Sequence, residues 1–488
     1  MTLLSEEISE KYELVVGLEV HAQLSTLSKS FSSDSAAFGA EPNHHVSAIS
    51  LGHPGTLPRI NKRMVEYAVK MGLACNCSIN LKNSFARKNY FYADLPKGYQ
   101  ITQDQMPICL GGAVMVRLAN GSTKNLALHH IHMEEDAGKS MHDNHHEDSL
   151  IDLNRAGVPL IEIVSEPDMR SSEEAGQFLT EIRKLLRYLD ICDGNMEEGS
   201  MRCDANISVR LKGATEYGNR CEVKNLNSIR NVQRAIEHEF ARQIKVIENG
   251  GHIDQNTLNF NADTGETSVL RSKEMANDYR YFPEPDLVPL VLDMAYVDSI
   301  QKSLPALPNQ LYKKYTDLGL SDYDASVITA DKEVALYFEE LIKHTANYKA
   351  AAHLMMGAVK SYLNETGLPI TNLPVEPATL AGLIKLVDAG SVNNSVASHK
   401  LFPAMLKSPG KSADVLAGEL NLLITTDSND VNQYIQDALA KFPDKVIEYQ
   451  KGKKGVLGLF MGEIMKSSKG KIDPQATNRL LIKQLESK

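Results

Sequence analysis

Charged residues two positions apart recur in short stretches that are typical of β-strands. Four such pairs are Glu19 with His21, Glu134 with Asp136, Arg202 with Asp204, and Glu222 with Lys224. Residues i and i+2 of a strand face the same side, so each pair presents its two side chains together. A sheet face that gathers carboxylates and cations can hold a divalent metal with a nucleoside triphosphate, because Mg²⁺ prefers carboxylate and phosphate oxygens.

Each pair also has a simpler interpretation, which is a solvated sheet face or an ordinary ion pair. For a single pair we favour that interpretation, whereas four pairs in one predicted sheet support both interpretations equally. Charges on a buried sheet face are costly without partners, so a buried face would argue for a site. Glu135 is expected on the opposite face from Glu134 if their strand is regular.

Several histidines lie close together in the sequence, and two cysteines form a C-x-C pair, so a transition-metal site has to be considered. The histidines that crowd one region are His129, His130, His132, His142, His145 and His146. Their spacing matches no standard zinc motif, and we expect solvent-exposed histidines in a polar loop. Cys75 and Cys77 form a lone C-x-C, and the six cysteines are scattered. We therefore expect buried thiols, with neither zinc nor a disulfide framework.

Basic and aromatic residues interleave in two further segments, residues 87–100 and 278–286. This composition is typical of surfaces that stack bases and hold phosphates. The alternative is an aromatic mini-core beneath a proline-containing loop, and each segment alone discriminates poorly between the two. The sequence contains no P-loop and no G-x-G-x-x-G motif, which argues against a Walker-type ATPase but not against the use of ATP.

Strand and helix patterns predict an α+β fold. Short β-branched or alternating stretches predict strands over residues 13–21, 125–135, 160–164, 204–211 and 220–224. A helix is predicted over 172–190, because acidic residues occupy its first turn and apolar residues follow at helical spacing. From about residue 300 strand signals are few, and helices are predicted over 331–343 and 348–363.

The length of 488 residues and these patterns predict three domains. We expect a mixed-sheet domain over residues 1–293, an all-helical domain over 294–405 and a small helical tail domain over 406–488. Residues 441–488 carry 11 Lys and Arg against 5 Asp and Glu, although the whole chain has a formal net charge of −10. The basic tail suits a phosphate-bearing partner, or it is simply a soluble terminal domain.

The sequence gives no sign of a membrane or secretory protein. No apolar run approaches the roughly 18 residues that would cross a bilayer. The acidic N-terminus lacks the basic and then apolar pattern of a signal peptide. We therefore expect a cytoplasmic protein.

Longer strings of residues resemble one known family. They are VVGLEVHAQL, KNYFYADLPKGYQITQ, HMEEDAGKS, DLNRAGVPLIEIVSEPD, EEGSMRCDANISV, EVKNLNS, DYRYFPEPDL and, in the tail, KGKKGVLGLFMGEIMKSSKG. They run in order from about Tyr12 to Gln484 and are similar to strings of the B subunits of aspartyl/glutamyl-tRNA amidotransferases. The archaeal relative carries an inserted domain for which this chain has no room, so the bacterial type fits better.

The resemblance implies a first domain that is a cradle with a sheet similar to that of glutamine synthetase. It implies that Mg-ATP phosphorylates the side-chain carboxylate of Glu or Asp misacylated on tRNA(Gln) or tRNA(Asn), and that ammonia then displaces the phosphate. It further implies a heterotrimer, in which an amidase, the A subunit, releases ammonia from glutamine, and which also contains a small C subunit. The helical and tail domains are expected to hold the tRNA, and no membrane partner is expected.

The resemblance also implies roles for the charged residues. The expected metal and phosphoryl-transfer site contains Glu19, His21, Glu134, Glu135, Asp204 and Glu222, of which Glu19, His21, Glu135 and Asp204 form the expected catalytic set. The residues expected to contact phosphate are Lys88, Lys139 and Arg202. Because histidine is an unusual ligand for Mg²⁺, Mn²⁺ is an alternative occupant. No role is implied for the histidine-rich segment 142–146.

Two other functions are alternatives at this point. A self-contained ligase of the glutamine-synthetase type would need neither a basic tail nor a separate source of ammonia. A non-catalytic tRNA-binding scaffold would have no reason to line a sheet with the charged residues described above. The resemblance therefore favours the amidotransferase subunit.

Overall fold

The computed structural model describes residues 6–142, 148–272, 279–424, 428–468 and 472–486. The chain divides into two compact units, Met1–Leu307 and Pro308–Lys488. The first unit is built on a large mixed sheet, whereas the described part of the second unit is helical. This is the α+β architecture that the sequence predicts.

Most strands of the first unit are short, but three long strands carry many of the charged residues of interest. In chain order the strands are β1 (Tyr12–Gln23), β2 (Ser78–Ile79), β3 (Lys82–Asn83), β4 (Ala86–Asn89), β5 (Tyr99–Thr102), β6 (Cys109–Leu110), β7 (Ala113–Arg117), β8 (Thr123–Glu135), β9 (Lys139–His142), β10 (Ser149–Asp152), β11 (Pro159–Ser165), β12 (Met201–Leu211), β13 (Cys221–Leu226), β14 (Asn256–Asn261), β15 (Glu266–Ser272), β16 (Phe282–Pro283) and β17 (Leu290–Val291).

Among the described residues, thirteen strands join in one sheet whose central order is β13-β12-β1-β11-β8-β5-β4. Neighbours within this run are antiparallel. At one end β14 adds to β13 in parallel, and at the other end β16 pairs with β4. The central position of β12, β1, β11 and β8 allows side chains from four strands to meet on one face.

Helices cover one face of this sheet. Those of the first unit are α1 (Glu6–Lys11), α2 (Lys62–Ala74), α3 (Ser172–Tyr188), α4 (Ile229–Glu248) and α5 (Met294–Ser303). α3 and α4 pack against each other and against the sheet. Val16, Leu18 and Val20 of β1 are buried in the same apolar core as these two helices. The alternate residues of β1, which include Glu19 and His21, therefore project from the face opposite the helices.

Helices build the second unit. They are α6 (Pro308–Asp317), α7 (Asp322–Ile328), α8 (Lys332–Leu341), α9 (Tyr348–Leu354), α10 (Lys360–Thr366), α11 (Pro377–Asp388), α12 (Asn394–Val396), α13 (Phe402–Lys407), α14 (Ala413–Glu419), α15 (Ser428–Lys441), α16 (Pro443–Gln450), α17 (Leu457–Ser467) and α18 (Pro474–Glu486). α14 packs against α11 and α13, whereas α15 to α18 share a separate apolar core. The division of this unit at residue 406 stays a prediction.

The predicted elements match observed ones with shifts at their ends, except that the helix predicted over 348–363 is observed as α9 and α10 joined by a π-helical turn at Met355–Val359. The five predicted strands correspond to β1, β8, β11, β12 and β13, each within three residues at its ends. The helix predicted over 172–190 is α3, and Ser171 caps it by accepting a hydrogen bond from the amide N–H of Glu174 at 3.1 Å. The six cysteines are buried and form no disulfide. Within the described ranges, no helix combines the length and apolar character that a membrane crossing requires.

Candidate active site

The register between β1 and β12 builds the charged face of the sheet. Glu19 lies directly opposite Asp204, and His21 lies directly opposite Arg202. Because paired residues of an antiparallel ladder face the same side, all four side chains project from one face. The two pairs that the i, i+2 pattern singles out in these strands are therefore cross-strand neighbours.

Glu19, Asp204 and Glu222 form a first acidic group, in which one carboxylate oxygen from each lies within 4.8 Å of the others. Asn206 donates a hydrogen bond from Nδ2 to Oε1 of Glu19 at 2.9 Å. Lys224 Nζ lies 2.5 Å from Oδ2 of Asp204 and 2.7 Å from Oε1 of Glu222. Burial and the surrounding carboxylates raise the pKa of Glu19. The group therefore holds more negative charge than its single lysine offsets.

His21, Glu134 and Glu162 form a second group with the same spacing. Nε2 of His21 lies 3.2 Å from Oε2 of Glu162 and 3.9 Å from Oε1 of Glu134. The Thr102 hydroxyl donates a hydrogen bond to Oε2 of Glu134 at 3.2 Å. Burial disfavours the charged imidazole, but the hydrogen bond to Glu162 and the nearby carboxylates outweigh it and raise the pKa of His21 to about 9.

The two groups adjoin, because Glu19 and His21 are neighbours on one face of β1. Together they contribute five carboxylates and one imidazole. Ligand sets dominated by oxygen, with one imidazole, fit Mg²⁺ or Mn²⁺ better than softer metals. The charged form of Glu19, whose pKa is raised by burial and by its acidic neighbours, is stabilised by a cation placed beside it. The chemistry of the donors therefore fits a divalent cation at each group.

Of the three residues expected to contact phosphate, Lys88 and Arg202 lie near the two groups. Burial opposes the charge on Lys88, but the Glu134 carboxylate and other acidic neighbours outweigh it and raise the pKa of Lys88. The Arg202 guanidinium donates a hydrogen bond to Oδ2 of Asp136 at 2.8 Å. Lys139 is exposed in the separate β9–β10 hairpin, opposite Asp152, and belongs to neither group.

Glu135 lies apart from both groups, although the resemblance places it in the expected metal site. Its Oε1 is ion-paired with Lys97 and accepts a hydrogen bond from the amide N–H of Ile101 at 2.9 Å. It lines a small cavity that it shares with Lys29, a lysine that is 1% exposed. Consecutive residues of a strand face opposite sides, so Glu134 and Glu135 contact different surroundings.

Comparison with known proteins gives the family. A family model described as the GatB/GatE catalytic domain matches residues 14–298, and one described as a GatB domain matches residues 336–485. The chain is 47% identical over 480 residues to the B subunit of the aspartyl/glutamyl-tRNA(Asn/Gln) amidotransferase of Caldicellulosiruptor bescii, with 98% of this chain and 99% of that protein covered. It is 48% identical over 475 residues to the protein of the same name from Paramagnetospirillum magneticum, with 97% of each covered. The chain belongs to the family of amidotransferase B subunits.

In this member of the B-subunit family, sequence reasoning missed Glu162. The register places Glu162 opposite His21 on β1 and opposite His132 on β8. The signal was present in the sequence, because Glu162 is a lone carboxylate inside the apolar stretch PLIEIVS. A charged residue in the middle of a central strand needs a partner, and the predicted strand over 160–164 already contained it.

The sequence predicts that the clustered histidines lie exposed in a polar loop. That prediction is wrong for His132. His129, His130 and His132 lie in β8, and His132 is 7% exposed. Nε2 of His132 lies 3.5 Å from Oε2 of Glu162 and 3.7 Å from Oε2 of Glu134, because the strand presents His132 on the same face as Glu134. His142 is the last residue of β9, whereas His145 and His146 lie outside the described residues.

The two basic and aromatic segments of this B-subunit family member meet, because β16 pairs with β4. The ring centroids of Tyr90 and Tyr279 lie 6.0 Å apart, and Lys88 Nζ lies 5.1 Å from the centroid of Tyr279. The rings therefore form a small, half-buried aromatic cluster beside Lys88. Phe91 and Tyr92 are exposed at its edge.

Proposed function

We propose that this chain activates the side-chain carboxylate of glutamate or aspartate misacylated on tRNA(Gln) or tRNA(Asn), and then amidates it. Membership of the B-subunit family makes the chain part of a tRNA-dependent amidotransferase, which is a carbon–nitrogen ligase. Two reactants are proposed in addition to the misacylated tRNA. Mg-ATP is the phosphoryl donor, and ammonia released by a partner amidase is the nucleophile.

One observation of the structure carries the proposal. Two groups of three metal-ligating side chains adjoin on one face of a central sheet, with Lys88, Arg202 and Lys224 around them. Phosphoryl transfer depends on positioning and on offsetting the charge of the transferring group, and these are the residue types that do both. Neither a scaffold nor a simple RNA-binding surface requires a half-buried carboxylate, such as Glu19, whose pKa is raised by burial and by its acidic neighbours.

The reaction has two steps with balanced bonds. An oxygen of the substrate carboxylate attacks the γ-phosphorus of ATP, so that a carboxyl O–P bond forms, the bridging P–O bond breaks and ADP leaves. The nitrogen of ammonia then attacks the carbonyl carbon, the C–O bond to phosphate breaks, and the nitrogen releases one proton. Phosphorylation is needed because a free carboxylate has no adequate leaving group.

The chain's own residues have separate tasks in these steps. Glu19, Asp204 and Glu222 would hold one divalent cation, and His21, Glu134 and Glu162 would hold a second. Such a cation supplies charge neutralisation and orientation of phosphate oxygens. Lys88 and Arg202 approach the same face and offset charge on the phosphoryl group. No covalent attachment to a side chain of this chain is required.

The proposed reaction also requires partner subunits and a surface that binds tRNA. We propose a cradle sheet of the glutamine-synthetase kind, an amidase (the A subunit) that supplies ammonia, a small C subunit, and tRNA bound by the helical and tail domains. The relatives are named as B subunits, which supports a complex of several different chains. Mg²⁺ is the proposed physiological ion, with Mn²⁺ as the alternative because of the His21 ligand.

The decisive test is reconstitution with the presumed amidase and the small partner. Conversion of Glu-tRNA(Gln) and Asp-tRNA(Asn) is measured with Mg-ATP and glutamine, and the amide product is quantified after release from the tRNA. The expected result is product that requires both ATP and this chain. A folded complex that binds tRNA but forms no amide with either substrate would contradict the proposed function and favour a tRNA-binding scaffold.

The tail is tested separately through its basic residues. Lys451 and Lys454 are exposed at the turn before α17, and neither lies in the sheet. Replacing both by serine should weaken tRNA binding and reduce the salt slope by up to about 2, since each phosphate contact contributes roughly 0.7–0.9. The matched control replaces Lys11 and Arg63, which are exposed and ion-paired in the first unit, outside the helical and tail domains. Equal salt slopes for both variants would remove these tail lysines from the tRNA site.

A further inference from the structure

Three histidines of β8, which are His129, His130 and His132, form a continuous row of hydrogen-bonded rings that we call the imidazole row. Nδ1 of His129 lies 2.7 Å from Nδ1 of His130, and Nε2 of His130 lies 3.0 Å from Nδ1 of His132. Exposure falls along the row, because His129 is exposed, His130 is half-buried and His132 is buried. The row leads from the surface to the second group of metal-ligating side chains, and the reaction proposed above gives it no task.

A β-bulge brings the outermost ring into the imidazole row. The register between β8 and β11 shifts at Val164 and Ser165, which leaves His129 as an extra residue on β8. In a regular strand His129 would face away from His130, whereas here the two ring centroids lie 4.9 Å apart. Bulges are common next to active sites, where they re-aim a side chain. The irregularity of the strand therefore serves to build the row.

The innermost ring of the row lies against two of the proposed metal ligands. Nε2 of His132 lies 3.5 Å from Oε2 of Glu162 and 3.7 Å from Oε2 of Glu134. A carboxylate only accepts hydrogen bonds, so Nε2 of His132 carries a hydrogen toward them. The other ring nitrogen of His132, Nδ1, faces the ring of His130. The orientation of the His132 ring, and with it the placement of the two carboxylates, therefore depends on the group that residue 130 presents.

His130 is suited to link its two neighbours because it stays neutral. Burial and the adjacent imidazoles lower the pKa of His130 to about 4. A neutral imidazole has one nitrogen that donates a hydrogen bond and one that accepts. His130 can therefore match the nitrogen of His132 with its Nε2 and the nitrogen of His129 with its Nδ1. Hydrogen-bonding partners just outside a metal site orient the ligands and support metal affinity.

We propose that His130 is a positioning residue for the second divalent cation. Acting through His132, it holds the carboxylates of Glu134 and Glu162 in the arrangement that binds the ion. His129 completes the row by occupying the remaining nitrogen of His130. The inference rests on the proposed function, because that function places a cation at this group.

The test compares two amide side chains at position 130 of the full-length chain. Both amides can donate and accept hydrogen bonds, but glutamine places its amide near the position of the imidazole Nε2, whereas asparagine places it near that of Nδ1. His130→Gln therefore keeps the hydrogen bond to His132, and His130→Asn keeps only the one to His129. The matched control is His238→Asn, because His238 is also half-buried but lies in α4.

Mn²⁺ binding is measured by electron paramagnetic resonance, and the stability of each variant is measured by urea unfolding. We expect His130→Asn to weaken the binding of one Mn²⁺ by about tenfold, since the loss of an outer-shell partner costs roughly 10–100-fold in metal affinity. His130→Gln and His238→Asn should bind Mn²⁺ as the wild type does. A merely structural role of His130 would instead lower the stability of both variants at position 130 and give them the same Mn²⁺ affinity.

Wild-type Mn²⁺ affinity in His130→Asn would overturn the inference, and so would an equal loss of affinity in His130→Gln. If His130→Asn does not fold, His130→Leu takes its place, because it also removes the hydrogen bond to His132. Either overturning result leaves the proposed function intact, provided that the wild-type chain binds Mn²⁺ and the wild-type complex forms amide. A wild-type complex that forms no amide contradicts the proposed function instead, so the two failures are distinguishable.

Discussion

Glu134 and Glu135 are adjacent in the sequence, yet their side chains lie in two different regions of the molecule. Glu134 belongs to the group with His21 and Glu162, whereas Glu135 is ion-paired with Lys97 in a cavity that also contains Lys29. Together with the adjoining first acidic group, the first region gathers five carboxylates on one face of the sheet, whereas the second pairs a single glutamate with Lys97 beside Lys29. Divalent cations prefer several carboxylate oxygens, so the first region is the stronger candidate.

The largest expected effect comes from the acid-rich region. Glu134→Gln keeps the size of the side chain but removes one charged ligand, so amidation of Glu-tRNA should fall by more than about 100-fold, since outer-shell residues alone account for 10–100-fold. Binding of tRNA should stay unchanged. The assay is amide formation by the reconstituted complex at saturating ATP, with Glu340→Gln on an exposed helix as the control. Activity of Glu134→Gln near the wild-type level would remove Glu134 from the site.

The next largest effect is a loss of stability at Glu135, in contrast to the loss of activity expected at Glu134. Glu135→Gln removes one partner of a buried ion pair, in which the side chains of Lys97 and Glu135 are 11% and 4% exposed. The expected loss of stability is about 3 kcal/mol, because Lys97 is left as a buried charge without its carboxylate. Urea unfolding at pH 7 measures it. The double variant Glu135→Gln with Lys97→Met should regain part of that loss, and no regain would show that the pair does not couple.

A smaller effect is expected from Lys29 as a function of pH. Burial lowers the pKa of Lys29 to about 8 in the folded protein, from an ordinary value of 10.5. Between these two values the unfolded chain binds the proton that the folded protein has lost, so stability should rise with pH by up to about 1.4 kcal/mol per unit. The comparison is urea unfolding of wild type and Lys29→Met at several values between pH 7 and 10. Parallel stability curves would contradict this.

The smallest effect is expected away from both regions. Glu340 and Lys343 form an exposed i,i+3 pair in the second unit, and their side chains are 47% and 65% exposed. Exposed pairs are screened by solvent and salt, so Glu340→Gln should change neither amidation nor the melting temperature measurably. A clear loss of amidation in this variant would mean that removing a charge anywhere in the chain affects the assay. A loss of activity in Glu134→Gln would then not identify Glu134 as part of the site.

The sequence predicted much of this fold, because each central strand has its own signature. β-branched residues and alternation place β1, β8, β11, β12 and β13 within three residues at their ends. Strand order was not predictable, since no local pattern specifies that β1 lies between β12 and β11. The separation of Glu134 from Glu135 was expected from the period of the strand. Their surroundings were not, because Lys97 and Lys29 come from distant parts of the chain.

The candidate site was predicted where its residues share a strand and missed where they do not. Glu19 with His21 and Arg202 with Asp204 follow from a two-residue period. Glu162 and His132 join the site only through the pairing of β11 with β1 and β8. For Lys139 the resemblance suggested a phosphate contact, yet the residue lies exposed in a separate hairpin, so that role stays a prediction.

Direct measurement of metal binding tests the central claim, that the acid-rich region and not the Glu135 region holds the divalent cation. Mn²⁺ binding to the purified chain is followed by electron paramagnetic resonance for wild type, Glu134→Gln and Glu135→Gln. We predict that Glu134→Gln weakens Mn²⁺ binding by at least about tenfold and that Glu135→Gln leaves it unchanged. Unchanged binding in Glu134→Gln, or a loss confined to Glu135→Gln, would contradict the assignment of the site.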